Sequence, residues 1–260
     1  MTLDDLALTP RLLVALDFDG TLSPLVDEPM AARMAPEAAA AVQALVSAPD
    51  TRVALVSGRT LDDLRVIAEH DDASTITLAG SHGAQWWHPA GAATGGETSV
   101  DDDDHAAERA ARDDLQAEAE TIAGTVEGAW IEPKDFGFAV HTRRAATDEA
   151  HTVHDRIAEL MAARAPHWRR RSGHSLTEYA FRAEGKDSAV AALRERTGAT
   201  GVLFAGDDVT DEDALRSLLP GDVGIRVGDG DTAATMRVRD IAELAEVLLA
   251  LAHRRIAGRQ

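Results

Sequence analysis

The chain has 260 residues, 45% of them hydrophobic, no cysteine and a formal net charge of −19. That length suits one large domain or a domain carrying an insertion, and the missing cysteine excludes disulfides, thiol nucleophiles and cysteine-ligated metals. The acidity argues against nucleic acid or an anionic membrane as partner, and the lack of a leader or of a bilayer-length apolar run makes a soluble, cytoplasmic protein the expectation.

In chain order, residues 1–10 read as a frayed or loosely docked lead-in. Arg11–Leu16 is an apolar run of strand length, buried on both faces, so Asp17 stands at its carboxyl end in Asp17-Phe18-Asp19-Gly20-Thr21-Leu22-Ser23-Pro24. Open parallel sheets bind ligands there. Two carboxylates one residue apart can divide a reaction, one attacking and one moving a proton; the plainer alternative is a turn at Asp19-Gly20 with Asp17 as a strand-end cap. Pro36 opens an alanine-rich helix with Val42, Leu45 and Val46 as its apolar stripe. Thr51–Val56 is a second buried strand ending at Ser57-Gly58-Arg59, whose hydroxyl and helix-onset setting suit a phosphate oxygen, or simply a serine-glycine turn. Thr60 caps a helix with Leu61, Leu64 and Ile67 buried, and the repeated strand-loop-helix favours a parallel βαβ arrangement. Thr75–Ala79 is a third strand, followed by Gly80-Ser81-His82-Gly83-Ala84-Gln85. Trp86 to His88 and Gly91 to Gly96 suggest a hairpin and loop, and Asp101 to Asp104 a solvated linker or helix start.

From 105 to 183 the pattern changes to an α+β insertion able to cover a site. A polar helix spans Glu108–Ile122, hairpins span 126–143 and 167–181, and a helix over Ala146–Arg164 carries Val153, Ile157 and Leu160. Glu132 and Lys134 share one strand face, as do His141 and Arg143: either the wet side of a sheet or a face that reads sugar hydroxyls. Core then resumes over 184–260. Only Lys134 and Lys186 among 26 basic residues are lysine, which singles them out, because a compact ammonium does what a planar guanidinium does not. Lys186 sits at a helix start with Asp187 as expected N-cap. Gly201–Ala205 is a fourth core strand delivering Gly206-Asp207-Asp208-Val209-Thr210-Asp211; Thr210 with Asp213 can cap the helix carrying Leu215, Leu218 and Leu219. Val223–Val227 is a short strand, Thr232 to Met236 begins a small helix, Ile241, Leu244, Val247, Leu248 and Leu251 stripe a closing helix, and 254–260 is expected to be disordered.

Asp17, Asp19, Ser57, Lys186, Asp207, Asp208 and Asp211 all fall just past strand ends or at the following helix start, positions that converge on one crevice in a doubly wound α/β sheet. Five carboxylates there need a cation, since a like-charge pair near 4 Å costs about 4 kcal/mol at an effective dielectric of 20. Oxygen-only ligands with an open position select magnesium, Mg2+, which also neutralises a substrate phosphate. In-line attack by Asp17 would give an aspartyl-phosphate; Asp19 would protonate the departing oxygen, then take a proton from the hydrolytic water.

Asp-Phe-Asp-Gly-Thr, the strand-end Ser57, Lys186 and Gly-Asp-Asp-x-x-Asp resemble the four motifs of the haloacid dehalogenase (HAD) superfamily, with the insertion placed like the α+β cap of its sugar phosphatases. The resemblance implies a HAD-like, Rossmannoid core over 1–104 and 184–260 and a cap over 105–183. More narrowly, Asp17 to Leu25, Ser57 to Arg59, Gly80 to Gln85, Glu132-x-Lys134 through His141-x-Arg143 and Gly206 to Leu215 are similar to the trehalose-6-phosphate phosphatase family. That similarity implies Asp17 as nucleophile, Asp19 as acid/base, Ser57 and Lys186 on phosphate, and a metal held by Asp17, the Asp19 carbonyl and Asp207. It further implies Asp208 and Asp211 positioning metal waters and the lysine, Gly58, Arg59 and His82 as substrate contacts, and Glu132, Lys134, Arg143 and Glu178 reading the sugar. A functional link to trehalose-6-phosphate synthase would follow. The chain departs from the family where Glu178 is followed by Tyr179-Ala180-Phe181 instead of x-Arg-Pro. Alternatives left open are a phosphatase for sucrose 6-phosphate or a hexose phosphate and, from another class, a phospho-aspartate receiver, which needs only about 120 residues and no cap.

Overall fold

In the computed structural model, which describes residues 2–90, 96–99, 106–134, 136–173, 175–182 and 184–258, the first elements are α1 (Leu3–Ala7), β1 (Leu12–Leu16), α2 (Pro36–Ser47), β2 (Thr51–Val56), α3 (Leu61–Ile67), β3 (Thr77–Gly80), β4 (Gln85–His88) and β5 (Gly96–Ser99). There follow α4 (Ala106–Ala123), β6 (Trp130–Lys134), β7 (Gly137–His141), α5 (Thr147–Arg164), β8 (Arg169–Gly173) and β9 (Leu176–Ala180). The chain closes with α6 (Lys186–Thr197), β10 (Gly201–Gly206), α7 (Asp211–Ser217), β11 (Val223–Val227), β12 (Met236–Val238) and α8 (Ile241–Ala257). Two compact units result, Met1–Ser99 with Glu184–Gln260, and Val100–Ala183.

The first unit is organised by β1, all five of whose side chains are buried. Leu12, Val14 and Leu16 pack into one core with α2, α3 and α8, while Leu13 and Ala15 pack into another with α6 and α7. Alternation along a strand thus feeds both faces of the sheet, which is why the run shows no polar alternation. The strand order is β12-β11-β10-β1-β2-β3-β4-β5. Every neighbouring pair from β12 to β3 is parallel, and β4 and β5 extend the sheet as antiparallel strands. The chain winds outward from β1 to β2 on one side and from β10 to β11 on the other, so the order reverses between β1 and β10. A crevice opens at such a reversal, at the carboxyl ends of the strands. The doubly wound α/β fold expected from the apolar runs is the fold observed.

In the second unit a four-stranded antiparallel sheet, β6-β7-β9-β8, carries α4 and α5. Phe138, Val140 and Tyr179 point to the helices and are buried with Val153, Ile157 and Met161. Leu160 packs partly buried against this cluster as expected, and Met161, one turn beyond Ile157, is buried in it as well.

Several local expectations are corrected. Residues 2–10 are not frayed: Thr2 and Asp5 form a reciprocal capping box on α1, and Leu6 is fully buried. Nor are residues 254–257 disordered, since α8 runs to Ala257 and Arg255 is 2% exposed. Thr232 to Met236 starts no helix; Met236–Val238 pairs parallel with β11 as the edge strand. Asp187 is inside α6, whose N-cap is Gly185, with the Ser188 hydroxyl accepting from the Gly185 N–H at 2.9 Å. The Thr210 side chain makes no cap bond to α7, which ends at Ser217 with Leu219 53% exposed, so of that expected stripe Leu215 is the residue buried in the core. The expected loop at 91–95 and the Asp101 to Asp104 run lie outside the described residues.

Candidate active site

Asp17 leaves β1 with its N–H donating to Ala205 O of β10 at 3.0 Å, so the strand pairing itself carries Asp17 to the reversal point. Its carboxylate is gripped at both ends. Lys186 Nζ donates to Oδ1 at 2.6 Å and the Thr21 hydroxyl to Oδ2 at 3.0 Å. Lys186 Nζ also donates to Asp211 Oδ1 at 2.6 Å, bridging residues 169 and 25 positions away. Asp211 Oδ2 accepts the backbone N–H groups of Asp207 and Asp208, at 3.1 and 2.9 Å. That loop can close so tightly because residue 206 is glycine: a Cβ there would lie 2.2 Å from the Asp211 carboxyl carbon.

Asp17, Lys186 and Asp211 are all buried, at 4%, 3% and 0% exposure. Burial drives Asp17 up to about 6 against the opposing pull of Lys186, and Asp207 likewise to about 6, with Asp211 adding repulsion. Asp211 rises to about 7, again through burial first, with Lys186 opposing. Burial alone would lower the Lys186 ammonium; its two carboxylate partners outweigh that and hold it charged. One ammonium among three carboxylates, Asp17 and Asp211 buried and Asp207 half-buried, leaves an excess of negative charge.

Asp17, Asp207 and Asp211 each offer an oxygen within 4.8 Å of the others, the spacing of a shared cation. The donor set is all oxygen, which suits a hard divalent ion. Asp211 has one oxygen on Lys186 and the other on two N–H groups, Asp17 has one oxygen on Lys186 and the other on Thr21, and Asp207, reached by the Thr21 hydroxyl at 3.4 Å, is the least committed of the three. Asp208 is exposed, its Oδ1 accepting the Val209 N–H at 2.6 Å. Arg226 Nη1 donates to the Asp208 carbonyl at 3.0 Å and fixes the loop from below.

Asp19 meets Arg59. The guanidinium donates from Nε to Oδ2 at 2.8 Å and from Nη2 to Oδ1 at 2.6 Å. Ser57, buried at the end of β2, accepts the Arg59 N–H on Oγ at 3.1 Å. The turn at Ser81 and His82 has positive φ at both residues, 47° and 57°. It donates from Ser81 N to Arg59 O at 2.6 Å and from His82 N to Ser57 O at 2.9 Å. The His82 ring lies against Gly58, where a Cβ would come within 2.8 Å of it.

In the second unit, Glu132 accepts from Lys134 Nζ at 2.6 Å and bonds His141 Nε2 at 2.7 Å. The His141 bond, helped by Lys134 and opposed by burial, lowers Glu132 to about 2. Register puts Glu132, Ala139 and Glu178 in one row, so these side chains share the face turned away from the helices. Glu178 lies 3.6 Å from Arg171. Arg143 is elsewhere: its guanidinium lies 5.3 Å over the Trp130 ring, which His141 also stacks against at 4.6 Å.

The trehalose-phosphatase family model matches residues 15–240, running from β1 to the residue that caps α8. The chain belongs to the trehalose-phosphatase family. It is 32% identical over 255 residues to a trehalose-phosphate phosphatase of Mycobacterium marinum, covering 91% of this chain and 60% of that one. It is 35% identical over 244 residues to an uncharacterized glycosyl hydrolase of Mycobacterium tuberculosis, covering 88% of this chain and 17% of that one. The chain therefore spans less than two thirds of either of these relatives. Among solved structures, the C-terminal domain of the Candida albicans trehalose-6-phosphate phosphatase superposes with a TM-score of 0.77 at 20% identity, over 96% of this chain and 95% of that one, a likeness of fold. Within this trehalose-phosphatase family member, the contacts that sequence reasoning missed are the Arg59 grip on Asp19 and the Arg226 support of Asp208. The signal for the first was present: an arginine held at a strand exit facing an anionic loop. Its partner 40 residues away was not readable from spacing.

Proposed function

We propose that this chain is a magnesium-dependent phosphatase that hydrolyses trehalose 6-phosphate to trehalose and phosphate. The family match over residues 15–240 carries the substrate class, and the Asp17–Lys186–Asp211 bridge supports the reaction type. Asp17 acts as nucleophile. Thr21 and Lys186 hold its two oxygens so that the carboxylate does not rotate, and its bond to phosphorus forms as the bond to the sugar oxygen breaks. Asp19 gives its proton to that departing oxygen. It then removes a proton from the water that attacks the aspartyl-phosphate, releasing phosphate and restoring Asp17. Ser57 offers its hydroxyl, and Lys186 its ammonium, to the phosphoryl oxygens. Asp17 and Asp207, with the Asp19 carbonyl, would hold the ion, and Asp208 and Asp211 support it; when bound it offsets the negative charge of carboxylates and phosphate together.

Glu132, Lys134 and Glu178 supply the acceptors and donor that a sugar requires, and Arg143, whose guanidinium lies over the Trp130 ring, is the fourth sugar-reading residue. A functional link to the synthase that makes the phosphate ester follows from the substrate. Release of phosphate from trehalose 6-phosphate, sucrose 6-phosphate and glucose 6-phosphate, each with magnesium, tests the reading: trehalose 6-phosphate is the expected best substrate by kcat/KM, and another winner rejects it. Lys134→Ala should lower kcat/KM on the disaccharide phosphate about 10- to 100-fold while sparing p-nitrophenyl phosphate, the loss of uniform binding contacts. Equal loss on both esters would remove Lys134 from sugar reading.

A further inference from the structure

The assigned proton carrier, Asp19, has both carboxylate oxygens bound to one guanidinium, at 2.8 and 2.6 Å. Bidentate charge-assisted pairs of this kind are the strong ones, and a guanidinium does not deprotonate to release its partner. Each oxygen keeps a second lone pair, but the two parallel bonds fix the plane and direction of the carboxylate. Turning that carboxylate toward a departing oxygen requires this pair to open.

Arg59 is held along its backbone and at the tip of its side chain. Its N–H is on Ser57 Oγ at 3.1 Å, its carbonyl accepts from Ser81 at 2.6 Å, and Nη1 donates to the Pro29 carbonyl at 3.0 Å. The backbone that carries the guanidinium is therefore the backbone that carries the phosphate-binding hydroxyl. Two residues in the left-handed region brace it from the neighbouring loop, a conformation that persists only where its surroundings impose it. A phosphoryl group seated on Ser57 and Asp17 presents several anionic oxygens to the same loop, and these compete for the guanidinium that Asp19 holds. A ligand moves an equilibrium only by its preference for one state, and here the preference is explicit: the freed guanidinium can turn its Nε and Nη2 fork onto phosphate oxygens, whereas in the pair that fork is on Asp19.

We propose that Arg59 is a positioning residue that keeps Asp19 in reserve and surrenders it when an anionic phosphoryl group enters beside Asp17. The inference rests on the phosphatase reading above and adds to it an order of events: phosphate first, proton carrier second.

A double-mutant cycle with Arg59→Ala and Asp19→Asn, run on an alkyl phosphate and on p-nitrophenyl phosphate, tests it. The aryl leaving group departs without a proton, so it does not need Asp19. Without the pair nothing orients Asp19 before the phosphoryl group arrives, so Arg59→Ala is expected to lower kcat on the alkyl ester about 10-fold or more, within the range of general acid catalysis, and on the aryl ester by less than about 3-fold. In the Asp19→Asn background the same change should cost less than about 2-fold, the mark of two residues acting as one. An additive cycle, or equal losses on both esters, overturns the proposal. Independently of turnover, a structure with beryllofluoride on Asp17 should show the Arg59–Asp19 pair opened, and a pair intact beside the bound mimic overturns it as well. Turnover of neither ester would count against the phosphatase reading, while the beryllofluoride structure would still decide the role of Arg59.

Discussion

The backbone at Gly20 turns through a φ of +80°, and a Cβ there would lie 2.0 Å from Asp207 Oδ2. Both facts demand glycine, the first for torsion and the second for space. Gly20→Ala is expected to displace Asp207 from Asp17, lowering turnover at least about 100-fold and costing on the order of 1–3 kcal/mol of stability, to be read from kcat and from thermal melts. His88 offers a different test, away from the chemistry. Burial, with Arg196 adding repulsion, depresses its imidazole from 6.5 to about 4. The unfolded chain binds a proton there at higher pH than the folded one, so the neutral ring contributes stability that is complete above pH 6.5 and is lost as pH falls toward 4. His88→Gln should flatten the fall in melting temperature across that window by roughly 2–4 °C, equivalent to about 1 kcal/mol in a unit of this size. An unchanged slope would mean that the ring titrates alike in both states.

Among the elements, α8 carries two adjacent arginines with opposite fates. Arg254 reaches Asp4 at 3.0 Å with both side chains largely in solvent. Arg255 points inward and donates to the carbonyls of Ala7, Thr9, Pro49 and Asp50 and to the Thr51 hydroxyl, each at 2.8 to 3.0 Å. One guanidinium thus ties the last helix to the end of α1 and the entry to β2. Arg255→Met would leave those acceptors buried without a donor, at a cost of about 2–4 kcal/mol, whereas Arg254→Ala should cost under about 0.5 kcal/mol. Urea unfolding of the two variants checks the contrast, and similar midpoints would show that Arg255 is not a tie.

At the scale of the whole molecule, the excess carboxylate charge at the β1–β10 reversal predicts that a bound cation will stabilise the fold. Magnesium at about 100 times its dissociation constant should stabilise the fold by about 2.7 kcal/mol, and a chelator should remove that gain along with phosphatase turnover. Asp207→Asn should abolish the magnesium-dependent shift in melting temperature even where activity is not measured. Among the described residues no helix is long and apolar enough to cross a membrane.

Much of this protein was legible locally. The apolar runs at β1, β2, β10 and β11, the proline opening α2 and the threonine cap of α3 are decided by residues within a turn or two of each other, and they suffice for a doubly wound sheet with its loops gathered at one edge. The scarcity of lysine pointed to Lys186 before any distance was known. Other features had no local signal: Arg255 was read as tail because its five acceptors lie some 200 or more positions away, Met236–Val238 was read as helix because only β11 makes it a strand, and the Arg59–Asp19 pair joins two loops that no spacing relates. Torsional preference and hydrophobic periodicity act between near neighbours, so the chain by itself determined its strands, its turns and the family it belongs to. Which charge meets which depends on segments brought together from opposite ends of the sequence, and only their packing into one sheet decided it.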